Sequence, residues 1–211
     1  DRLPAAVAGG RNSVGLRVPA HPMARELIRS AGVPVAAPSA NRFGAVSPTT
    51  AGHVIADLGD LLNPDRDVVL DGGPSPIGVE STIVDCTVDP VQVLRTGAVT
   101  AEQVRSILDA DVVGAAGPSR ASGMLASHYA PRCEVRLVDT ADDAAALAAG
   151  TTGARILDLT DDVARYGREL YTALRFADNE GVRVVIAVLP AAEGLGHAIR
   201  DRLTKAAAPR I

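Results

Sequence analysis

Of the 21 basic residues in this 211-residue chain, Lys205 is the only lysine and the rest are arginine. Any step that needs a lysine, such as a phosphate-loop contact or a Schiff base, therefore has one candidate, close to the C-terminal end. Arginine instead offers a planar fork that matches carboxylate or phosphate two bonds at a time. Four clusters in the first hundred residues share a vocabulary of arginine, glycine and small hydroxyls. They are Ser13-Val14-Gly15-Leu16-Arg17-Val18-Pro19, Pro38-Ser39-Ala40-Asn41 running on to Ser47-Pro48-Thr49-Thr50, Asp71-Gly72-Gly73-Pro74 with Gly78-Val79-Glu80-Ser81-Thr82, and Leu94-Arg95-Thr96-Gly97. Glycine lets the backbone come close to an anion, and Ser and Thr add neutral donors. The combination suits a pocket for nucleotide phosphates and a small carboxylate. The sequence contains no Ser-His-Asp elbow, zinc-ligand spacing or Walker motif.

Each cluster also has a purely structural reading. Ser39 and Asn41 are common turn residues, and Ser47-Pro48-Thr49-Thr50 fits a helix cap. Arg17, flanked by Leu16 and Val18, reads as an inward residue on a strand, where it needs an anionic partner. Arg95 ends a strand in the same way. Glu80 reads as the partner of one of these two arginines, with a magnesium contact as the alternative. His53, His197 and Lys205 read as surface residues on helices. His128 and Tyr129 have no evident structural duty in the loop that carries them.

These groups need elements to hold them. His21 to Ala31 has the pattern of a helix opened by Pro22 and closed by Gly32, and a second helix is expected from about Thr49 to Gly59. Short strands are expected at 33–37, 68–70, 82–85 and 91–95, and Thr100 with Gln103 forms a capping-box pair opening a helix through Leu108. Residues 112–133 lose periodicity and read as a linker, ending in Ser127-His128-Tyr129-Ala130-Pro131. Beyond them strands at 135–138, 155–159 and 182–189 alternate with helices at 141–149, 161–177 and 196–207, the pattern of a small parallel sheet with helical cover. The expected division is 1–111, a linker 112–133, and a small domain 134–211.

Composition narrows the class. Hydrophobic residues at 47% and charged residues at 22% fit a globular chain and exclude a fibrous or wholly disordered one. A net charge of −4 argues against coating nucleic acid by bulk electrostatics. No apolar run approaches the ~18 residues of a membrane span, so no membrane partner is expected. Cys86 and Cys133 are too few for a disulfide framework and fit a reducing, cytoplasmic setting.

Five strings in order, Gly15-Leu16-Arg17-Val18-Pro19, Ala37-Pro38-Ser39-Ala40-Asn41 with Ser47-Pro48-Thr49, Gly78 to Asp85, Leu94 to Gly97, and Ser127 to Pro131, resemble the long form of the threonylcarbamoyl-AMP synthase family. The resemblance covers essentially the whole chain. It implies an α/β architecture: part of a YrdC-like catalytic domain with a twisted, open, mixed sheet and helices, then a linker, then a small parallel Rossmann-like domain. It also implies an enzyme that joins L-threonine, bicarbonate and ATP, with magnesium, into threonylcarbamoyl-adenylate and pyrophosphate, supplying downstream tRNA-modification proteins. By motif, Ser13, Ser39, Ser47, Arg95 and Tyr129 would contact ATP, and Arg17, Ala37 and Ser81 the threonine, with no metal ligand and no covalent catalytic residue assigned. The linker is expected to act as a lid over the nucleotide. The family's Lys-x-Arg motif has no counterpart here and the chain opens Asp1-Arg2-Leu3-Pro4, so shortening at the N-terminal end of the catalytic domain is expected, with loss of activity in this chain. The rival reading is a module that binds double-stranded RNA or tRNA without catalysis.

Overall fold

Short elements joined by long loops build the first part of the chain. The computed structural model describes residues 4–117, 121, 123 and 129–209. Helix α1 (Pro22–Ala31) has proline at its first turn and ends on Gly32 in the left-handed region, as its sequence dictates. Helix α2 (Ala51–Leu58) is capped by the Thr50 hydroxyl, which accepts from the His53 amide. Strands β1 (Ile83–Asp85) and β2 (Val91–Arg95) pair antiparallel. Helix α3 (Ala101–Leu108) opens with the full Thr100–Gln103 capping box. Strand β3 (Val112–Gly114) then adds parallel to β2, making a mixed sheet in the order β1-β2-β3. Val93, Val104 and Val112 form its small core.

Two expected strands do not form a ladder. Among the described residues, 33–37 and 68–70 are irregular and belong to no strand, and Val68 is 77% exposed. An apolar run becomes a strand only when a neighbouring strand takes its N–H and C=O groups. Likewise Arg17 lies on an irregular, exposed segment rather than an inward-facing strand. The periodicity-poor start of the expected linker conceals β3, because three residues are too few to show a period.

The C-terminal part follows its sequence pattern closely. Strands β4 (Glu134–Val138), β5 (Ala154–Leu157) and β6 (Val184–Val188) are parallel in the order β4-β6-β5. All five residues of the central strand β6 are buried, as expected for a strand covered on both faces. Helix α4 (Ala141–Ala149) covers Val184, Ile186 and Val188, while α5 (Val163–Asn179) and α6 (Leu195–Ala207) cover Val185 and Ala187. Side chains alternate across the sheet, so one strand feeds two cores. The larger core does not stop at this sheet: Val46 and Tyr129 are part of it.

The two halves are therefore packed together through α5. Arg175 grips Asp57 with both Nη atoms, at 2.9 and 2.5 Å, and donates to the carbonyls of Ser47 and Val46. Thr172 meets Thr49 hydroxyl to hydroxyl at 3.2 Å. Gly78, with φ +85°, rests against the backbone of Gly167 and Arg168, a contact that leaves no room for a Cβ. No helix among the described residues is long and apolar enough to cross a membrane.

Candidate active site

Loops from the first half converge on one cleft of about 710 Å³, within the usual range for small-ligand sites. Arg17, Ala37, Ser39, Ser47, Ser81, Arg95 and Tyr129 all line it, although the sequence scatters them over more than a hundred positions. Ser13 does not: it is exposed and outside the lining. Ser127 and His128 lie outside the described residues.

The two arginines are tied to backbone close to the threonine-site candidates. Arg17 Nη2 donates to the Ala37 carbonyl at 3.4 Å, and Arg95 Nε donates to the Ser81 carbonyl at 3.0 Å. Gly97 makes the second approach possible. A Cβ there would collide with the backbone of Glu80, Ser81 and Thr82, so the two motifs can lie side by side only with glycine at this position. Gly123, from the connector, packs with φ +81° against Arg95 and the Tyr129 hydroxyl. Tyr129 itself has φ +61°, a strained value for a residue with a side chain. It is held there by burial to 1% exposure, by stacking on Tyr171 at 5.6 Å, and by the Arg202 guanidinium 5.3 Å over its ring. The chain on its far side is pinned as well: the amides of Arg132 and Cys133 both donate to Asp178 Oδ1 of α5.

Glu80 is the one carboxylate among the described lining residues. Its partner is neither Arg17 nor Arg95, as the sequence led one to expect, but Arg202 of α6. Arg202 Nε reaches Glu80 Oε2 at 2.8 Å, Ser47 Oγ donates to Oε1 at 2.7 Å, and the Tyr171 hydroxyl donates to both oxygens. Burial disfavours its charge, but the Arg202 guanidinium and the bond from Ser47 outweigh that and hold the carboxyl below its ordinary range. Burial and the neighbouring Glu80 charge raise the hydroxyls of Tyr129 and Tyr171, which stay protonated. An ionised carboxylate can only accept. Ser47 thus spends its one proton on Glu80 and presents lone pairs elsewhere.

Arg202, Tyr171 and Arg175 escape a reading based on motifs because they sit on helices whose pattern looks complete without them. One clue exists. Arg202 lies on the same stripe as Ile199, Leu203 and Ala206, all buried, and it is itself fully buried. An arginine inside an apolar helix stripe requires an anion facing it. Two residues read as solvated also change place: His53 is half-buried with Nδ1 accepting from the Thr49 amide, and Lys205 pairs with Asp201. No helix position alone reveals such partners.

Two arginines, several hydroxyls and a charge-paired carboxylate thus line one cleft, together with Ala121, Gly123 and Tyr129 of the connector. The family model described as "Telomere recombination" matches residues 1–97, and that of the threonylcarbamoyl-AMP synthase C-terminal domain matches 99–208. The threonylcarbamoyl-AMP synthase of Pyrococcus abyssi is 34% identical over 99% of this chain and 68% of its own length. That of Bacillus subtilis is 34% identical over 100% of this chain and likewise 68% of its own. The crystal structure of P. abyssi Sua5 complexed with L-threonine superposes with a TM-score of 0.85 at 32% identity, over 97% of this chain and 67% of that one. The chain belongs to the threonylcarbamoyl-AMP synthase family, and spans about two thirds of the length of these relatives.

Proposed function

We propose that this chain carries the site that forms threonylcarbamoyl-AMP and pyrophosphate from L-threonine, bicarbonate and ATP. The observation that carries this reading is the convergence of Arg17 and Arg95 with Ser39, Ser47, Ser81 and Tyr129 on a single cleft. Arg17 suits the amino-acid carboxylate, with Ala37 and Ser81 beside it. Arg95, Ser39, Ser47 and Tyr129 suit the nucleotide, and Ser13 would join them if the segment that carries Arg17 closes over the cleft. Bicarbonate gives up hydroxide to become carbon dioxide. The neutral threonine nitrogen adds to its carbon and loses a proton to give a carbamate, and the hydroxide and the proton leave as water. A carbamate oxygen then attacks the α-phosphorus while the bond to pyrophosphate breaks. The protein's share is to hold the two substrates in line and to balance their charge, without a covalent intermediate.

Magnesium would enter as the counter-ion of the ATP phosphates, with no side chain of this chain assigned to it. Among the described residues no group of three His, Cys, Asp or Glu side chains is placed to hold a metal, and Glu80 is already bonded to Ser47, Tyr171 and Arg202. The product would serve the enzymes that complete a threonylcarbamoyl modification of tRNA, in the cytoplasm where ATP and tRNA meet. Direct RNA binding is the weaker reading: the net charge is −4, and the two arginines lining the cleft also serve a small anion.

Calorimetry with ATP and with L-threonine tests the reading, and threonine-dependent pyrophosphate release in bicarbonate buffer tests separately the expected loss of activity in this chain. Both ligands should bind. Arg17→Ala should weaken threonine by about 2 kcal/mol, the loss expected for a charged hydrogen-bonded pair, and change ATP little. Failure of either ligand to bind, or an equal loss of both in the variant, would overturn the assignment.

A further inference from the structure

Two side chains of the small domain support the wall of the cleft. Tyr171 of α5 and Arg202 of α6 both bond to Glu80, and Arg202 Nη2 also donates to the Thr96 carbonyl at 2.9 Å. One guanidinium therefore fixes the carboxylate next to Ser81 and the peptide next to Arg95. Ser47 is fixed in turn, because its hydroxyl proton is held by Glu80 at 2.7 Å.

We propose that Tyr171 and Arg202 are positioning residues for the nucleotide, holding Glu80 so that Ser47 meets ATP only as a hydrogen-bond acceptor. This rests on the reading above, in which Ser47 contacts ATP. An acceptor suits the nucleoside end of the ligand, where the ribose hydroxyls and the adenine amine carry protons. It does not suit ionised phosphate oxygens, which have none to give. The small domain thus sets how the nucleoside is recognised, although among its described residues only Tyr171 reaches the cleft lining. The charges of this network balance: Glu80 faces Arg202, Arg202 Nη1 also donates to Asp201 Oδ2 at 2.6 Å, and Lys205 is a second cation on Asp201.

Tyr171→Phe is the discriminating variant, since it removes only a hydroxyl and keeps the ring that stacks on Tyr129. Calorimetry on the whole chain is expected to show ATP and adenosine each weakened about five- to tenfold, the scale of one bond to a charged group, with threonine within about twofold. Ser47→Ala should weaken both nucleotide ligands comparably. Tyr171→Phe added to Ser47→Ala should then cost no more than about a further factor of two, because the two act through one contact. Equal weakening of threonine, multiplied losses in the double variant, or loss for ATP without loss for adenosine would each overturn the proposal. Absence of ATP binding by the unaltered chain would overturn the functional reading itself, a result distinct from these three.

Discussion

Arg202→Met is expected to destabilise the protein by about 3–5 kcal/mol at neutral pH, as measured by urea unfolding. Arg202 is fully buried and the Glu80 side chain is only 21% exposed, so their 2.8 Å pair is poorly screened by solvent. Removing the cation leaves a carboxylate desolvated and without its main source of charge balance. The cost should depend on pH, and its sign follows from the direction of the Glu80 shift. Glu80 is held below its ordinary range in the folded protein. It therefore contributes stability above the unfolded carboxylate pKa, and that contribution fades as pH falls through the lower folded value. In the variant the largest offset to desolvation is gone while the bond from Ser47 remains, so Glu80 takes up a proton at higher pH than in the parent. The gap between the two proteins should be widest at pH 7 and narrower at acidic pH, as the variant's Glu80 takes up its proton before the parent's does. Adding Glu80→Gln to Arg202→Met should recover part of the loss at pH 7. A gap that stays the same at both pH values would show that lost packing, not the ion pair, sets the cost.

Gly78→Ala should cost about as much for a different reason. Its φ of +85° is strained for any side chain, at about 1–2 kcal/mol. The added Cβ would also collide with the Gly167 carbonyl and lie 2.5 Å from Arg168 Cα and 2.8 Å from its oxygen. These are backbone atoms inside α5 and cannot rotate away, so overpacking adds about 1–3 kcal/mol. Gly181→Ala is the control: its φ is +67°, yet nothing lies within 4 Å of the new Cβ. Unfolding midpoints should place Gly78→Ala about 2–5 kcal/mol below the parent and Gly181→Ala about 1–2 kcal/mol below it. Equal losses would mean that the contact between the 77–80 loop and α5 has no energetic weight. The same displacement should weaken ATP binding, because it moves α5, and with it Tyr171, away from Glu80.

The sequence by itself determined the local and periodic features. The capping box at Thr100, the glycine stop at Gly32, and the alternation of strand and helix after residue 134 all depend on neighbours within a few positions or on one repeating period, and each appears in the structure. The motifs that carry Arg17, Ser39, Ser47, Ser81 and Arg95 were legible for a related reason: glycine beside hydroxyl and arginine is an unusual local composition. What only the tertiary structure decided are the pairings between distant segments. Whether residues 33–37 and 68–70 become strands depends on a ladder partner, and their own apolar run cannot supply one. Ser13 has the composition of a ligand residue but lies outside the cleft, since composition does not fix where an irregular loop runs. Glu80 finds its charge partner 122 positions away, on a helix whose pattern looked complete. A buried charge accepts whichever opposite charge the packing of α5 and α6 brings within about 3 Å, and that choice is made by the assembled core rather than by any stretch of chain.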